Sequence, residues 1–421
     1  MTTERDRRFD RREFLRAAAA TAALGGAYHA LGGFPGLIAQ PAPATPLPTW
    51  LPTVQSGPFH MLVIGDSIMW GQGLNEDSKF STIVQRWLID RLPGRAVVKH
   101  VFAHSGAHIK ANEAEDAHPA RAGEVPRDWP SITAQVSMAQ KRLADLNVAP
   151  EEVGVVLLSG GINDVVITSI LTSDPSINNI TGDETKEQWI RRLTRERVGP
   201  RMKELLSLVL TSFPNAKVVV TSYFPIVSGS TPAEALALLF ATIPGFGLAA
   251  SLVTILTRDR LAGQSRVFNE ESIEGLRQAV AEARPLELST AAVVRRPSGG
   301  RPQFPTAQTA VLERPRAAFA RVPFESRHCY GAPDSWLWGL KPDQALLSRQ
   351  QQCQVLGQGL NPWCMYAAWG HPNVRGAREY ANAIIDALER LEPAWRTSVP
   401  QNLKTTPVPA VPRRITRPPR P

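Results

Sequence analysis

Two short runs, residues 61–64 and 153–158, are apolar at consecutive positions instead of alternate ones. A strand with one wet face alternates, whereas a strand covered on both faces does not. Residues 96–102 and 216–222 read as two further strands. Helical spacing lies between them: apolar residues at 80, 83, 84, 87, 88 and 92, a second helix over 132–146, and a long one over 187–212 with Pro200 as a break point. Helices over 271–283 and 373–391 follow. Buried strands separated by helices predict an α/β fold, a three-layer α/β/α sandwich with a parallel sheet. The chain's 421 residues, 43% of them hydrophobic, supply a core for one large domain or two ordinary ones. That composition excludes disorder throughout, a collagen repeat and a small disulfide scaffold.

The formal charge of +9 invites a nucleic-acid partner until it is located. Residues 1–16 hold six arginines against four acids, and residues 392–421 hold six basic side chains against Glu392. The body between is almost neutral, so a nucleic-acid-binding fold, which carries its charge on a structured face, is disfavoured.

Arg11-Arg12-Glu13-Phe14-Leu15-Arg16 precedes a soft Ala/Gly-rich apolar run that ends near residue 39. The pattern resembles a twin-arginine export signal over residues 1–44, with Ala42-Pro43-Ala44 as a cleavage site and Gly36 and Ala39 as rivals. It implies a periplasmic or extracellular protein that folds before crossing. An uncleaved anchor or amphipathic helix is the alternative. Residues 45–58, with prolines at 46, 48, 52 and 58, form an extended lead-in. The odd set Cys329, Cys353 and Cys364 allows at most one internal bridge, of undetermined partners, and has no zinc-site spacing.

In a parallel sheet the ligand crevice lies beyond the carboxyl ends of the strands. The first strand is followed there by Gly65-Asp66-Ser67-Ile68, the second by His104-Ser105-Gly106-Ala107-His108, and the third by Gly160-Gly161-Ile162-Asn163-Asp164. His371-Pro372-Asn373 precedes the last helix. Singly each has a bland explanation as a turn, a loop, a strand exit or a helix start. In this order, with three on successive strand exits, they resemble the SGNH hydrolases, also called the GDSL esterase/lipase family. The resemblance runs from residue 61 to about 391 and is loose over 225–365.

The resemblance implies a flavodoxin-like SGNH hydrolase domain over residues 59–392 that cleaves esters without a metal or an organic cofactor. Ser67 would be the nucleophile and His371 the general base. The backbone N–H groups of Ser67 and Gly106 and the side-chain amide of Asn163 would form the oxyanion hole. The chemistry needs these types: a serine hydroxyl is a weak nucleophile until an imidazole takes its proton, and preplaced N–H donors stabilise the oxyanion.

The family's usual aspartate three residues before the histidine is here Ala368. Either a backbone carbonyl near Ala368–Trp369 holds the ring, which is the expectation, or an acid arrives from elsewhere; Asp334 and Asp343 are the nearest in sequence. His104 and His108 lie on a glycine-containing loop, which disfavours a metal site. Asp66 and Asp164 are expected to bond loop backbone, and Trp336, Leu337, Trp338 and Trp363 to pack or to line a pocket.

Residues 235–256 carry no charge, but Pro244, Gly245 and Gly247 split them, so the insertion over 231–260 reads as a helical hairpin. It is expected either to cap the site for acyl chains or lipid, or simply to pack into the core. Residues 393–421, rich in proline and basic residues, read as an extended tail. The expected function is an exported serine esterase or lipase acting on a small-molecule or lipid ester, with peripheral contact to membrane or cell envelope. The alternatives are a carbohydrate O-acyl esterase or acyltransferase, which would need an open polar groove, and a non-catalytic envelope-binding protein.

Overall fold

A computed structural model describes residues 57–110, 130–165, 170–171, 183–242, 248–286, 315–339 and 368–396. The proposed signal (residues 1–44), the lead-in as far as residue 56, Asp343, Cys353, Cys364, Trp363 and the tail beyond 396 lie outside them.

Five parallel strands form one sheet: β1 (Phe59–Ile64), β2 (Val97–Val101), β3 (Val153–Leu158), β4 (Lys217–Thr221) and β5 (Ala317–Ala320), in the order β2-β1-β3-β4-β5. All of β1 is buried, as is β3 apart from Gly154 and β4 apart from Lys217, the burial that their unalternating sequences require. β2 lies on an edge and is only half covered. Helices α2 (Phe80–Arg91) and α7 (Val374–Leu391) pack together on one face, α2 against β2 and α7 against β4 and β5, with Phe80 stacked on Tyr380. Helices α3 (Ile132–Asp145), α4 (Lys186–Ser212) and α6 (Leu248–Glu282) pack among themselves, α3 against β1 and α6 against β5. The fold is therefore the expected α/β sandwich with a flavodoxin-like strand order.

Four details differ from the sequence expectations. β5 went unseen: Ala-Ala-Phe-Ala has little strand preference alone, and only pairing with β4 makes it a strand. Pro200 does not break α4, because buried Val198 and Met202 hold the helix in the core on either side of it. The hairpin consists of α5 (Ala233–Thr242) and α6, and α6 does not stop near residue 256 but continues to Glu282. Its buried stripe includes Gln264, Ser265 and Ser272 among Leu261, Phe268 and Leu276, so the polar positions disguise one helix as two. Ser265 is buried for a reason: its hydroxyl accepts the N–H groups of Ile226 (2.7 Å) and Val227 (3.2 Å). At the other end, Pro393–Trp395 form a 3-10 turn, with Trp395 set edge-on to Phe59 and Trp87, so packing continues to Trp395.

Among the described residues no helix is long and apolar enough to cross a membrane. Cys329 is a free, buried thiol, which burial pushes up to about 11.

Candidate active site

Since β1 is flanked by β2 on one side and β3 on the other, the connections leaving β1 and β3 diverge and open a crevice at their carboxyl ends. Gly65 leaves β1 pinned on both sides of its peptide: its N–H donates to Gln135 Oε1 (2.8 Å) and its carbonyl accepts Gln135 Nε2 (3.0 Å). Asp66 then caps the one-turn helix α1 (Ser67–Trp70) by accepting the Ile68 N–H (3.1 Å). Gly71 ends that turn in the left-handed region (φ 79°), where glycine alone is unstrained, and so brings the chain back over it. Ser67 is thus the first residue of a very short helix, half-buried at the crevice, with its N–H at the end where helical N–H groups have no internal partner.

His371 arrives from the loop before α7. Its Nε2 lies 2.7 Å from Ser67 Oγ, and its Nδ1 lies 3.0 Å from the carbonyl oxygen of Trp369. The ring partner is the backbone carbonyl expected from the missing aspartate. Asp334 is not that partner. Its carboxylate pairs with Arg375 and lies 3.6 Å from His328 Nε2, and His328 is in turn stacked face to face on Trp336, with ring centroids 3.5 Å apart.

The tryptophan-rich segment proves to be a clamp. Trp338 N–H donates to the His371 carbonyl (2.8 Å), Gly370 N–H to the Trp338 carbonyl (3.2 Å) and Asn373 N–H to the Trp336 carbonyl (2.8 Å), while Leu337 bridges Pro372 in antiparallel fashion. Asn373 locks the junction. Its side-chain oxygen caps α7 through Arg375 N and Gly376 N, and its amide donates to the Ser335 carbonyl (3.0 Å). Trp338 also lies close to Gly73, where a side chain would meet both its indole and the methyl group of Ala368.

Gly106 sits in the loop after β2 with φ 80°, again a conformation suited to glycine. That loop is tied to β1 by His104 N–H donating to the Gly65 carbonyl (3.0 Å), and to Asn163 by the latter's Nδ2 donating to the Ala107 carbonyl (3.0 Å). A carboxamide nitrogen has two hydrogens, and the Ala107 bond takes one. His104, half-buried in the same loop, has its basicity lowered by that partial burial.

The acids do more than bond loop backbone. Asp164 accepts Ile109 N–H (3.0 Å) as expected, but also Arg201 Nη1 (2.6 Å) from α4, which fastens the Asn163 turn to that helix. Asp66 is wholly buried and accepts the hydroxyls of Ser159 (3.1 Å) and Tyr223 (2.6 Å). Burial pushes its carboxyl up, against the opposing pull of Tyr223, Ser159 and two backbone amides, and burial likewise pushes the Tyr223 phenol well up. Tyr223 was missed although it stands two residues beyond β4, where the strand-exit rule already directs attention. Gln72, which accepts the Ser105 hydroxyl, stands in the Trp70-Gly71-Gln72-Gly73 run after β1, where the sequence suggests no role for it.

Residues 63–379 match the model of the GDSL-like Lipase/Acylhydrolase family. Similar solved structures include an extracellular lipase from Streptomyces rimosus (11% identity, TM-score 0.40, 78% of this chain and 99% of that one). A phospholipase A1 from Streptomyces albidoflavus is similar at 13% identity and TM-score 0.42, over 79% of this chain and 100% of that one. A carbohydrate esterase family 2 enzyme from Corynascus thermopiles follows at 12% identity and TM-score 0.34, over 83% and 68%. No curated protein matches the sequence. With three-quarters of its length matched by the family model, the serine turn at one end of the match and the histidine loop near the other, the chain belongs to the GDSL-like lipase/acylhydrolase family of ester-hydrolysing enzymes.

Proposed function

We propose that this protein is a serine esterase that hydrolyses carboxylic esters through an acyl-enzyme, with Ser67 as nucleophile and His371 as general base. The 2.7 Å contact between His371 Nε2 and Ser67 Oγ carries the assignment. The imidazole takes the hydroxyl proton as Oγ bonds to the ester carbonyl carbon, and the carbonyl π electrons move onto oxygen. The N–H groups of Ser67 and Gly106 and the Asn163 amide receive that oxyanion. As the intermediate collapses, the carbon–oxygen bond to the alcohol breaks and His371 returns the proton to the departing oxygen. Water then repeats the sequence on the acyl-enzyme and releases the acid. The Trp369 carbonyl selects the tautomer with hydrogen on Nδ1, which leaves Nε2 as the acceptor that Ser67 needs.

The α5–α6 hairpin is the candidate acyl-chain cap. In support, Tyr330 joins it to the histidine loop: the phenol donates to the Ala235 carbonyl (3.2 Å), and the ring meets Trp369 edge-on at 5.1 Å. Export belongs to the same proposal and rests on the Arg11-Arg12 pattern.

Hydrolysis of p-nitrophenyl acetate and laurate by wild type and Ser67→Ala tests the assignment. Loss of the serine is expected to lower kcat by about 10³-fold or more. Covalent labelling by a fluorophosphonate should fall on Ser67. Wild-type turnover by Ser67→Ala would overturn the proposal, and an unchanged laurate preference after removal of residues 232–257 would reject the cap.

A further inference from the structure

The serine turn and the Gly106 loop come from different strands, β1 and β2, yet an oxyanion hole built from both needs their N–H groups held at one separation. Backbone bonding supplies part of this, through His104 N–H to the Gly65 carbonyl (3.0 Å), while only a long bond from Ala107 N–H to the His104 carbonyl (3.4 Å) closes the turn that holds Ser105 and Gly106. A second connection exists. The Ser67 carbonyl accepts the N–H of Gln72 (3.0 Å), which fixes the Gln72 backbone to the serine turn. From there the Gln72 side chain, only 2% exposed, accepts the Ser105 hydroxyl at 2.7 Å. Ser105 is the residue whose carbonyl carbon carries the Gly106 nitrogen.

We infer that Gln72 is a positioning residue for the oxyanion hole: bonded through its backbone to Ser67 and through its side chain to Ser105, it sets how far the Gly106 N–H stands from the serine. This rests on the role proposed for Ser67 above. Four groups connect the nucleophile to the donor through hydrogen bonds and covalent links: Ser67 carbonyl, Gln72 backbone amide, Gln72 carboxamide and Ser105 hydroxyl. Burial of Gln72 excludes the water that would otherwise replace either side of the latch. Gly106, in its left-handed conformation, has no side chain to brace the loop, so the bracing falls to its neighbour.

The ground-state ester is a poorer hydrogen-bond acceptor than the oxyanion, so a displaced donor costs the transition state more than it costs substrate binding. Gln72→Ala and Ser105→Ala should each lower kcat about 10-fold, with KM within about twofold of wild type, the scale expected when a donor is displaced rather than removed. A trifluoromethyl ketone, whose hemiketal oxyanion occupies the same hole, should bind about 10-fold more weakly. The double variant should be no worse than either single, because both remove one bond. Ser105→Thr, which keeps the hydroxyl, should restore kcat and inhibitor affinity. Should Gln72→Ala fail to fold, the partly exposed Ser105 pair carries the same test. Wild-type kcat in Ser105→Ala, a loss confined to KM, or additive losses in the double variant would overturn the inference. Ser67→Ala, assayed alongside, separates the two levels. An inactive Ser67→Ala with a fully active Ser105→Ala rejects the latch alone, whereas an active Ser67→Ala rejects the serine mechanism itself.

Discussion

The carbonyl oxygen of Trp369 stands 3.0 Å from Nδ1 of His371, two residues away in the same loop. A ring held by its own loop needs that loop to be rigid, and the Trp336–Trp338 clamp supplies the rigidity. A carbonyl dipole orients the imidazole as a carboxylate would, while adding no full charge against the imidazolium.

Asp334, committed to Arg375 and close to His328, is therefore expected to be dispensable for the chemical step. Asp334→Asn should leave kcat within about threefold, against the roughly 10⁴-fold loss on losing the acid of a triad. Steady-state kinetics on p-nitrophenyl acetate decides it, and a loss of several hundredfold would restore Asp334 as a candidate third member.

Asn373 has two separable duties, since its oxygen caps α7 and its nitrogen holds the Ser335 carbonyl. Asn373→Asp keeps the cap and removes the donor; Asn373→Ala loses both. Thermal unfolding should show the alanine variant less stable by about 1–2 kcal/mol more than the aspartate variant. Both should lose kcat by a similar factor, about 10-fold, because both loosen the segment carrying His371. Full activity in Asn373→Asp would remove the clamp from the mechanism.

Tyr223→Phe should destabilise the protein in a pH-dependent way. The folded-state pKa of Asp66 is raised by burial, so its protonated form supports folding at low pH, and that support is lost as pH rises through the folded value. The Tyr223 hydroxyl favours the ionised form and limits the loss. Its removal should cost little at about pH 3, where the carboxyl is protonated folded or unfolded, and about 1–3 kcal/mol at neutral pH. Urea unfolding at several pH values measures this, and a cost independent of pH would show that the phenol acts only through packing.

Helices α4 and α6 cross at Gly199 and Gly275, where a side chain on Gly199 would meet the Gly275 backbone at 3.2 Å. Neither glycine takes part in the Ser67–His371 contact. Gly275→Val should lower stability by about 1–3 kcal/mol through overpacking, with kcat of the folded enzyme unchanged. Denaturant midpoints read the first effect and turnover well below the midpoint reads the second. Wild-type stability would mean that the helices can slide apart at no cost.

Periodicity and punctuation within a few residues of each element determined the layered α/β architecture, four of the five strands and the location of Ser67, Gly106 and Asn163 at strand exits, because buried parallel strands must be apolar on both faces and a crevice must open beyond their ends. The tertiary structure alone decided what those residues touch. Gln72 meets Ser105 from 33 positions away and Tyr223 reaches Asp66 across 157, with no spacing rule linking them. Likewise α6 runs unbroken through buried Gln264 and Ser265, and four alanine-rich residues become a strand, because packing partners supplied the hydrogen bonds and contacts that local preference lacks.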